Sequence, residues 1–196
     1  MALRLWAGAG LLATQLVICL PLAAQADSGW QLRHEEVNLQ VYSRPHAGSS
    51  IEEFRGVTRV QASLGSVIAL LQDADFNRHW VYRSGGATII ASEGIATTWV
   101  YGVVDAPLPI RDRDTVVRFD YRQDPASREI HISITNYPEF IPAEQGLVRV
   151  PDFGGFWHLR PLADTGVEVT YQVYGDPGGY IPVWAANHAA VSYTHL

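Results

Sequence analysis

Hydrophobic and polar residues alternate with a period of two along several stretches of the chain. The clearest run covers 130–134, where three isoleucines alternate with His131 and Ser133. Such a period places one set of side chains on a buried face and the other in water, which is typical of antiparallel strands. The same alternation, or a less regular apolar run, predicts further strands over 37–44, 51–61, 87–92, 97–105, 117–121, 154–162 and 167–173.

Helical periodicity is confined to two places. After Ser63, the apolar residues Leu64, Val67, Ile68 and Leu71 recur at i, i+3, i+4 and i+7, which predicts an amphipathic helix with Ser63 as its N-cap. The second is the C-terminal end, where Pro182 could stand in the first turn of a helix over 181–191. A short helical turn around 75–80 and a chain turn at 124–127 are also predicted. This element order predicts an α+β fold, built on one large antiparallel sheet.

The first 26 residues have the pattern of a secretory signal peptide. Arg4 precedes an apolar run over 11–22, and Ala24-Gln25-Ala26 is a small-x-small cleavage site before Asp27. The run is short for a membrane span, which needs about 20 residues. We therefore expect a signal peptide at 1–26 and one domain at 27–196, exported to the periplasm or secreted.

Composition excludes several classes of chemistry. The only cysteine, Cys19, lies in the predicted signal, so the mature domain has no disulfide, thiol nucleophile or thiolate metal site. All fourteen Lys and Arg positions are arginine, which excludes Schiff-base and P-loop lysines. The formal charge of −6 without a basic run argues against a nucleic-acid partner.

Three segments resemble the StAR-related lipid transfer (START) family in its secreted bacterial form, a helix-grip fold within the Bet v 1-like group. The first is the predicted helix with Leu70 and Asp73, followed by Trp80. The second is Ala-Pro-Leu-Pro-Ile-Arg-Asp-Arg-Asp at 106–114. The third comprises Gly-Phe-Trp-His-Leu-Arg-Pro at 155–161, Val-Thr-Tyr at 169–171 and Pro-Gly-Gly-Tyr-Ile-Pro at 177–182.

The resemblance implies a curved antiparallel sheet wrapped around a long C-terminal helix. An apolar cavity between them would hold a sterol, a phospholipid or a similar ligand. Only about ten to fifteen residues follow Pro182, which would span about 15–22 Å as a helix. We therefore expect the closing helix to be truncated in this chain.

Seven aromatic residues are the predicted ligand-binding residues. If the apolar parity faces inward, Phe119, Tyr121, Trp157 and Tyr171 point to the concave side of the sheet, and we expect Trp99 and Tyr101 to join them. Trp80 completes the set. Periodicity alone favours an ordinary filled core, because aromatic stripes usually pack. The resemblance favours a ligand cavity.

Polar motifs give weaker signals. The run Asp112-Arg113-Asp114 predicts a salt bridge where a strand begins, with Arg113 held by one carboxylate while the other caps backbone donors. The alternative for this run is a polar ligand site. The seven histidines form no metal-binding pair, so neither a metal nor a cofactor is predicted.

The sequence therefore predicts a monomer that binds a lipid or other apolar small molecule for transfer, sensing or storage, without catalysis. We expect transient contact with a membrane surface. One alternative is an enzyme on the same scaffold, cyclase-like or aromatase-like, acting on an apolar or aromatic substrate. Another is a protein-interaction domain with a filled core.

Overall fold

The computed structural model describes residues 29–163 and 165–181. The predicted signal peptide and C-terminal helix lie outside these residues. Within them the elements are β1 (Gln31–Glu36), β2 (Leu39–Pro45), β3 (Glu52–Val60), α1 (Leu64–Gln72), a 3-10 turn (Asn77–His79), β4 (Ser84–Glu93), β5 (Thr97–Val104), β6 (Arg113–Gln123), β7 (Ile130–Asn136), β8 (Val148–Arg149), β9 (Asp152–Pro161) and β10 (Val167–Asp176).

The strands form one large curved sheet in the order β1-β2-β3-β10-β9-β7-β6-β5-β4. Neighbours along this path are antiparallel, and the two-residue strand β8 pairs with β6 in parallel. The last strand, β10, lies between β3 and β9, so that Val169 pairs with both Thr58 and Leu159. This architecture confirms the predicted α+β class with its antiparallel sheet.

One face of the sheet, which we call the inner face, carries the hydrophobic core. Its buried residues come from four adjacent strands and are Val117, Ile132, Ile134, Trp157, Leu159, Val167 and Val169. Helix α1 packs on this face through the predicted stripe of Leu64, Val67, Ile68 and Leu71. Ser63 is its N-cap, because the Ser63 hydroxyl accepts a hydrogen bond from the Ser66 N–H at 3.1 Å.

The opposite face, which we call the outer face, carries cross-strand polar contacts. Glu168 accepts hydrogen bonds from Arg160 at 2.5 Å and from Arg59 at 3.2 Å. His158 on β9 contacts the carboxylate of Glu129, the residue that precedes β7, at 3.0 Å. Water also reaches the side chains of these outer-face contacts.

The segment between β7 and β8 is fastened to β6 by one arginine. Arg149 donates to Asp114 Oδ2 at 2.8 Å and to the carbonyl oxygens of Pro138, Ile141 and Pro142. The side chain of Asp114 is fully buried, and that of Arg149 is 11% exposed. A buried charge needs such a partner, and the pair therefore holds this segment in place.

The eight strands, helix α1 and the short helical turn predicted from the sequence are all confirmed, with ends that differ by a few residues. The turn at 124–127 is confirmed as well, because the Asp124 carboxylate accepts the N–H groups of Ala126 and Ser127 at 2.9 and 2.7 Å. Strands β1 and β8 were not predicted.

Candidate functional site

Four aromatic or aliphatic side chains form a row across the middle of the inner face. Tyr171 on β10 is in register with Trp157 on β9, Trp157 with Ile132 on β7, and Ile132 with Tyr121 on β6. The rings of Trp157 and Tyr171 stack with centroids 4.0 Å apart and an interplanar angle of 20°. The structure thus brings three of the predicted ligand residues into one line.

Two further predicted residues lie on the same face. Phe119 is two positions before Tyr121 on β6, and both pack against the buried core. Trp80 follows the 3-10 turn and packs against the same core. The inner face therefore collects Trp80, Phe119, Tyr121, Trp157 and Tyr171, as the alternation predicts for the four that lie on strands.

Tyr121 adds a hydroxyl to this apolar surface. Burial raises the pKa of Tyr121, and hydrogen bonds to Thr98 and Gln72 oppose that shift in part. The phenol is therefore neutral at physiological pH. Because Gln72 is the last residue of α1, this hydroxyl lies near the end of the helix.

The expectation that Trp99 and Tyr101 share this face is wrong. Trp99 pairs with Arg118 and Tyr101 with Val116, so both point to the outer face, opposite to Val117. Trp99 is buried there by stacking on Phe140, with ring centroids 5.4 Å apart. Side chains on both faces of β5 are shielded from water, which is why apolar content did not distinguish its two sides.

Tyr101 lies beside the buried Asp114 carboxylate. Burial, followed by the charge of Asp114, raises the pKa of Tyr101. Tyr101 therefore lies beside the ion pair of Asp114 and Arg149 on the outer face. It is not one of the inner-face residues.

For the run Asp112-Arg113-Asp114, the predicted capping of a backbone donor is confirmed. Asp112 Oδ1 accepts the N–H of Ala106 at 2.8 Å and so caps a backbone donor across the loop. Asp114, however, is bound by Arg149, and Arg113 donates to the carbonyl oxygens of Arg111 and Gly178. Because Arg113 is 5% exposed and touches both segments, it links the 106–112 loop to the turn that follows β10.

Sequence analysis missed a polar group on the inner face of β2. The Ser43 hydroxyl is buried, donates to Glu52 Oε2 at 2.8 Å and accepts from Arg33 Nε at 2.7 Å. Ser43 is in register with Phe54, which pairs with Val173 of the inner face. The spacing of Leu39, Val41 and Ser43 gives the signal, but Arg33 is on the unpredicted strand β1.

Three further observations concern the rest of the described chain. A hollow of about 460 Å³ opens beside the turn between β1 and β2, and none of the predicted ligand residues lines it. Over 29–163 and 165–181, no group of three His, Cys, Asp or Glu side chains is placed to hold a metal ion. Over the same residues, no helix is long and apolar enough to cross a membrane. The aromatic row on the inner face is therefore the candidate site.

Comparison with known proteins finds similar sequences in a bacterium and in mammals. An uncharacterised protein of Pseudomonas aeruginosa is 34% identical over 162 residues, which are 83% of this chain and 79% of that protein. Human phosphatidylcholine transfer protein is 25% identical over 172 residues, 85% of this chain and 79% of that protein. No family model matches the chain.

Solved structures agree. The STAR-related lipid transfer protein of Xanthomonas axonopodis is 34% identical, with a TM-score of 0.78 over 85% of this chain and 92% of that one. Human StAR-related lipid transfer protein 5, at 19% identity and a TM-score of 0.75, shares the fold over 87% of this chain and 83% of its own. On this identity and coverage, the chain belongs to the START family of StAR-related lipid transfer proteins.

Proposed function

We propose that this protein binds a lipid or a similar apolar molecule against the inner face of its sheet and does no chemistry on it. The observation that carries the proposal is the row of Tyr171, Trp157, Ile132 and Tyr121, with Phe119 and Trp80 beside it. Such a surface offers a guest apolar contact together with a few hydroxyl and indole groups, as lipid sites require.

Burial of apolar area would supply the affinity. A guest that removes about 400 Å² of apolar surface from water gains about 10 kcal/mol before the costs of association are subtracted. The named function of two relatives supports a lipid as the guest, since one is a phosphatidylcholine transfer protein and the other a STAR-related lipid transfer protein.

The absence of chemistry is also part of the proposal. The three shortest ion pairs among the described residues are on the outer face: Arg160 with Glu168, Arg44 with Glu53 and Arg118 with Asp120. On the inner side, Arg33 pairs with Glu52 at 2.9 Å. A general acid or base must come within hydrogen-bond reach of its substrate. The sheet separates the outer-face groups from the inner face, and Arg33 and Glu52 are on β1 and β3, outside the aromatic row on β6, β7, β9 and β10. Binding for transfer, sensing or storage therefore fits this distribution of charge better than catalysis.

Native mass spectrometry of the protein purified from its own host tests the proposal. The expected result is a complex with one lipid, which organic extraction then identifies. A protein that is empty in this experiment and takes up no lipid from vesicles would contradict lipid binding. An empty protein that converts an aromatic or polyketide-like substrate would favour the enzyme.

A pair of variants places the guest on one face. Phe119→Glu puts a carboxylate on the inner face, and Thr135→Glu puts the same charge on the exposed outer side of β7. We expect the first to lose the lipid, because a buried charge is costly, and the second to keep it. Circular dichroism checks that both fold, and Phe119→Thr is the milder replacement if Phe119→Glu does not.

We further propose that the protein acts after export and touches membranes briefly to load its guest. The signal-like sequence of 1–26 supports export. Leu108, which is 95% exposed, and Tyr180, fully exposed, stand near the ends of β6 and β10 and offer apolar contact to a bilayer. Cell fractionation tests the first statement, and vesicle sedimentation of Leu108→Ser tests the second.

A further inference from the structure

Trp80 follows the 3-10 turn and packs against the inner face. Its backbone N–H donates to the Asn77 carbonyl at 3.2 Å at the end of the 3-10 turn. The turn is fixed to β4, because Ser84 Oγ donates to Asn77 Oδ1 at 2.5 Å and Arg78 donates to the Gly85 carbonyl at 3.2 Å. The turn and its contacts with β4 thus fix the position from which the indole ring packs against the buried core.

The indole N–H of Trp80 is removed from water and finds no hydrogen-bond acceptor among the described residues. Trp80 Nε1 is buried and has no hydrogen-bond partner within 29–163 and 165–181. A buried indole N–H normally finds an acceptor, since leaving it unmade costs its full desolvation. Trp80 is therefore a donor that the described chain leaves unsatisfied.

We propose that Trp80 Nε1 donates a hydrogen bond to an acceptor oxygen of the bound lipid and so selects guests that carry one. This inference rests on the proposed lipid-binding function. An indole can donate but cannot accept, so a pure hydrocarbon leaves the N–H unpaired, whereas a hydroxyl, carbonyl or phosphate ester oxygen satisfies it. Discrimination of this kind exploits a polar group that the wrong guest leaves buried and unpaired.

Trp99 provides a control within the same molecule. Its Nε1 is also buried and has no partner in the described part of the chain. The ring, however, is on the outer face under Phe140, where the sheet separates it from any guest on the inner face. The two tryptophans thus share the same kind of buried, unsatisfied donor but lie on opposite faces of the sheet.

The test compares Trp80→Phe with Trp99→Phe, because each replacement keeps an aromatic ring and removes the N–H. Two probes are titrated by fluorescence: a short-chain phosphatidylcholine kept below its aggregation concentration, and pyrene, which has no acceptor oxygen. Trp80→Phe is expected to weaken phosphatidylcholine binding about tenfold more than it weakens pyrene binding, because only phosphatidylcholine loses a hydrogen bond. Trp99→Phe is expected to change neither.

Indole NMR of the wild-type protein gives a second measurement, which does not depend on any variant folding. With ¹⁵N-labelled tryptophan, the Trp80 indole N–H signal should shift on adding phosphatidylcholine and stay in place with pyrene. Contacts to its own backbone amide assign this signal. The Trp99 indole signal should not move with either probe.

The outcomes separate this inference from the function on which it rests. If the wild-type protein binds neither probe, lipid binding itself is overturned. If both probes bind and Trp80→Phe weakens them equally or not at all, lipid binding stands and the role of Trp80 is overturned. A Trp80 indole signal that ignores phosphatidylcholine while the lipid binds overturns it as well.

Discussion

Phe156 and Trp157 are neighbours on β9 that point to opposite faces of one sheet. Trp157 is 8% exposed and stacks on Tyr171 within the apolar layer of the inner face. Phe156 is half-buried and stacks against the imidazole of His131, with centroids 5.1 Å apart, among the polar side chains of the outer face. An apolar side chain on the inner face can therefore replace one apolar contact with another, such as a bound guest. On the outer face, the side chains already contact specific partners.

The sharpest test of this contrast removes each ring in turn. Trp157→Ala should lower the free energy of unfolding by about 4 kcal/mol, because it opens a cavity in the core. Phe156→Ala should lower it by about 1 kcal/mol, since water already reaches that ring. Urea denaturation of both variants measures the difference. Equal losses would show that the two faces are not distinct in burial.

Asp114 is an expected exception to this contrast between a buried inner face and an outer face that water reaches. Although it points to the outer face, its side chain is fully buried against Arg149. Asp114→Ala should cost about 3 kcal/mol, because it leaves a guanidinium uncompensated away from water. Adding Arg149→Met should recover part of this loss in a double-mutant cycle. No recovery would mean that the two side chains act independently.

Glu168 represents the ordinary outer-face contact. The hydrogen bond from Arg160, ahead of the one from Arg59, lowers the pKa of Glu168. Glu168→Gln should cost less than about 1 kcal/mol at neutral pH, because the partners are exposed. A depressed carboxyl pKa stabilises the fold above the pKa of the unfolded chain, and this contribution fades as the folded carboxylate is protonated. The gap between wild type and Glu168→Gln in melting temperature should therefore close in acid.

His131 gives the smallest effect. Partial burial, then the positive charges of His158 and Arg122, lower its pKa. A histidine with a lowered pKa takes up its proton less readily in the folded protein than in the unfolded one. The fold therefore loses stability as the pH falls through the ordinary histidine range. His131→Gln should flatten the fall in melting temperature between about pH 7 and pH 5. An unchanged slope would show that other groups set it.

The sequence predicts the strands that carry a hydrophobic alternation or an apolar run and misses those that carry neither. On β7 the isoleucines and polar residues alternate because only one side is buried. Strand β1 is at an edge, is exposed along most of its length and has a register shift between Leu32 and His34. Strand β8 is two residues long. Neither leaves a period for the sequence to show.

The same reason explains the errors at the site. Alternation with polar neighbours predicts the inner-face position of Phe119, Tyr121 and Tyr171, whereas Trp157 lies between Phe156 and His158 in a less regular run. Trp99 and Tyr101 share β5 with Val100, and both faces of that strand are covered. The cover on the outer side comes from the 137–147 segment around Phe140, which is distant in sequence. Only the folded structure reveals such a contact.

The position of β10 has a consequence for the order in which the chain is completed. Seven residues of β3, at 54–60, pair with residues 167–173, and β9 pairs with the opposite edge of the same strand. Until the ribosome has released β10, the first three strands have no bonded neighbour on that side, and the remaining strands cannot join them. The first three strands can therefore join the rest of the sheet only after residues 167–173 have been synthesised, so the pairing of β3 with β10 is among the last sheet contacts to form.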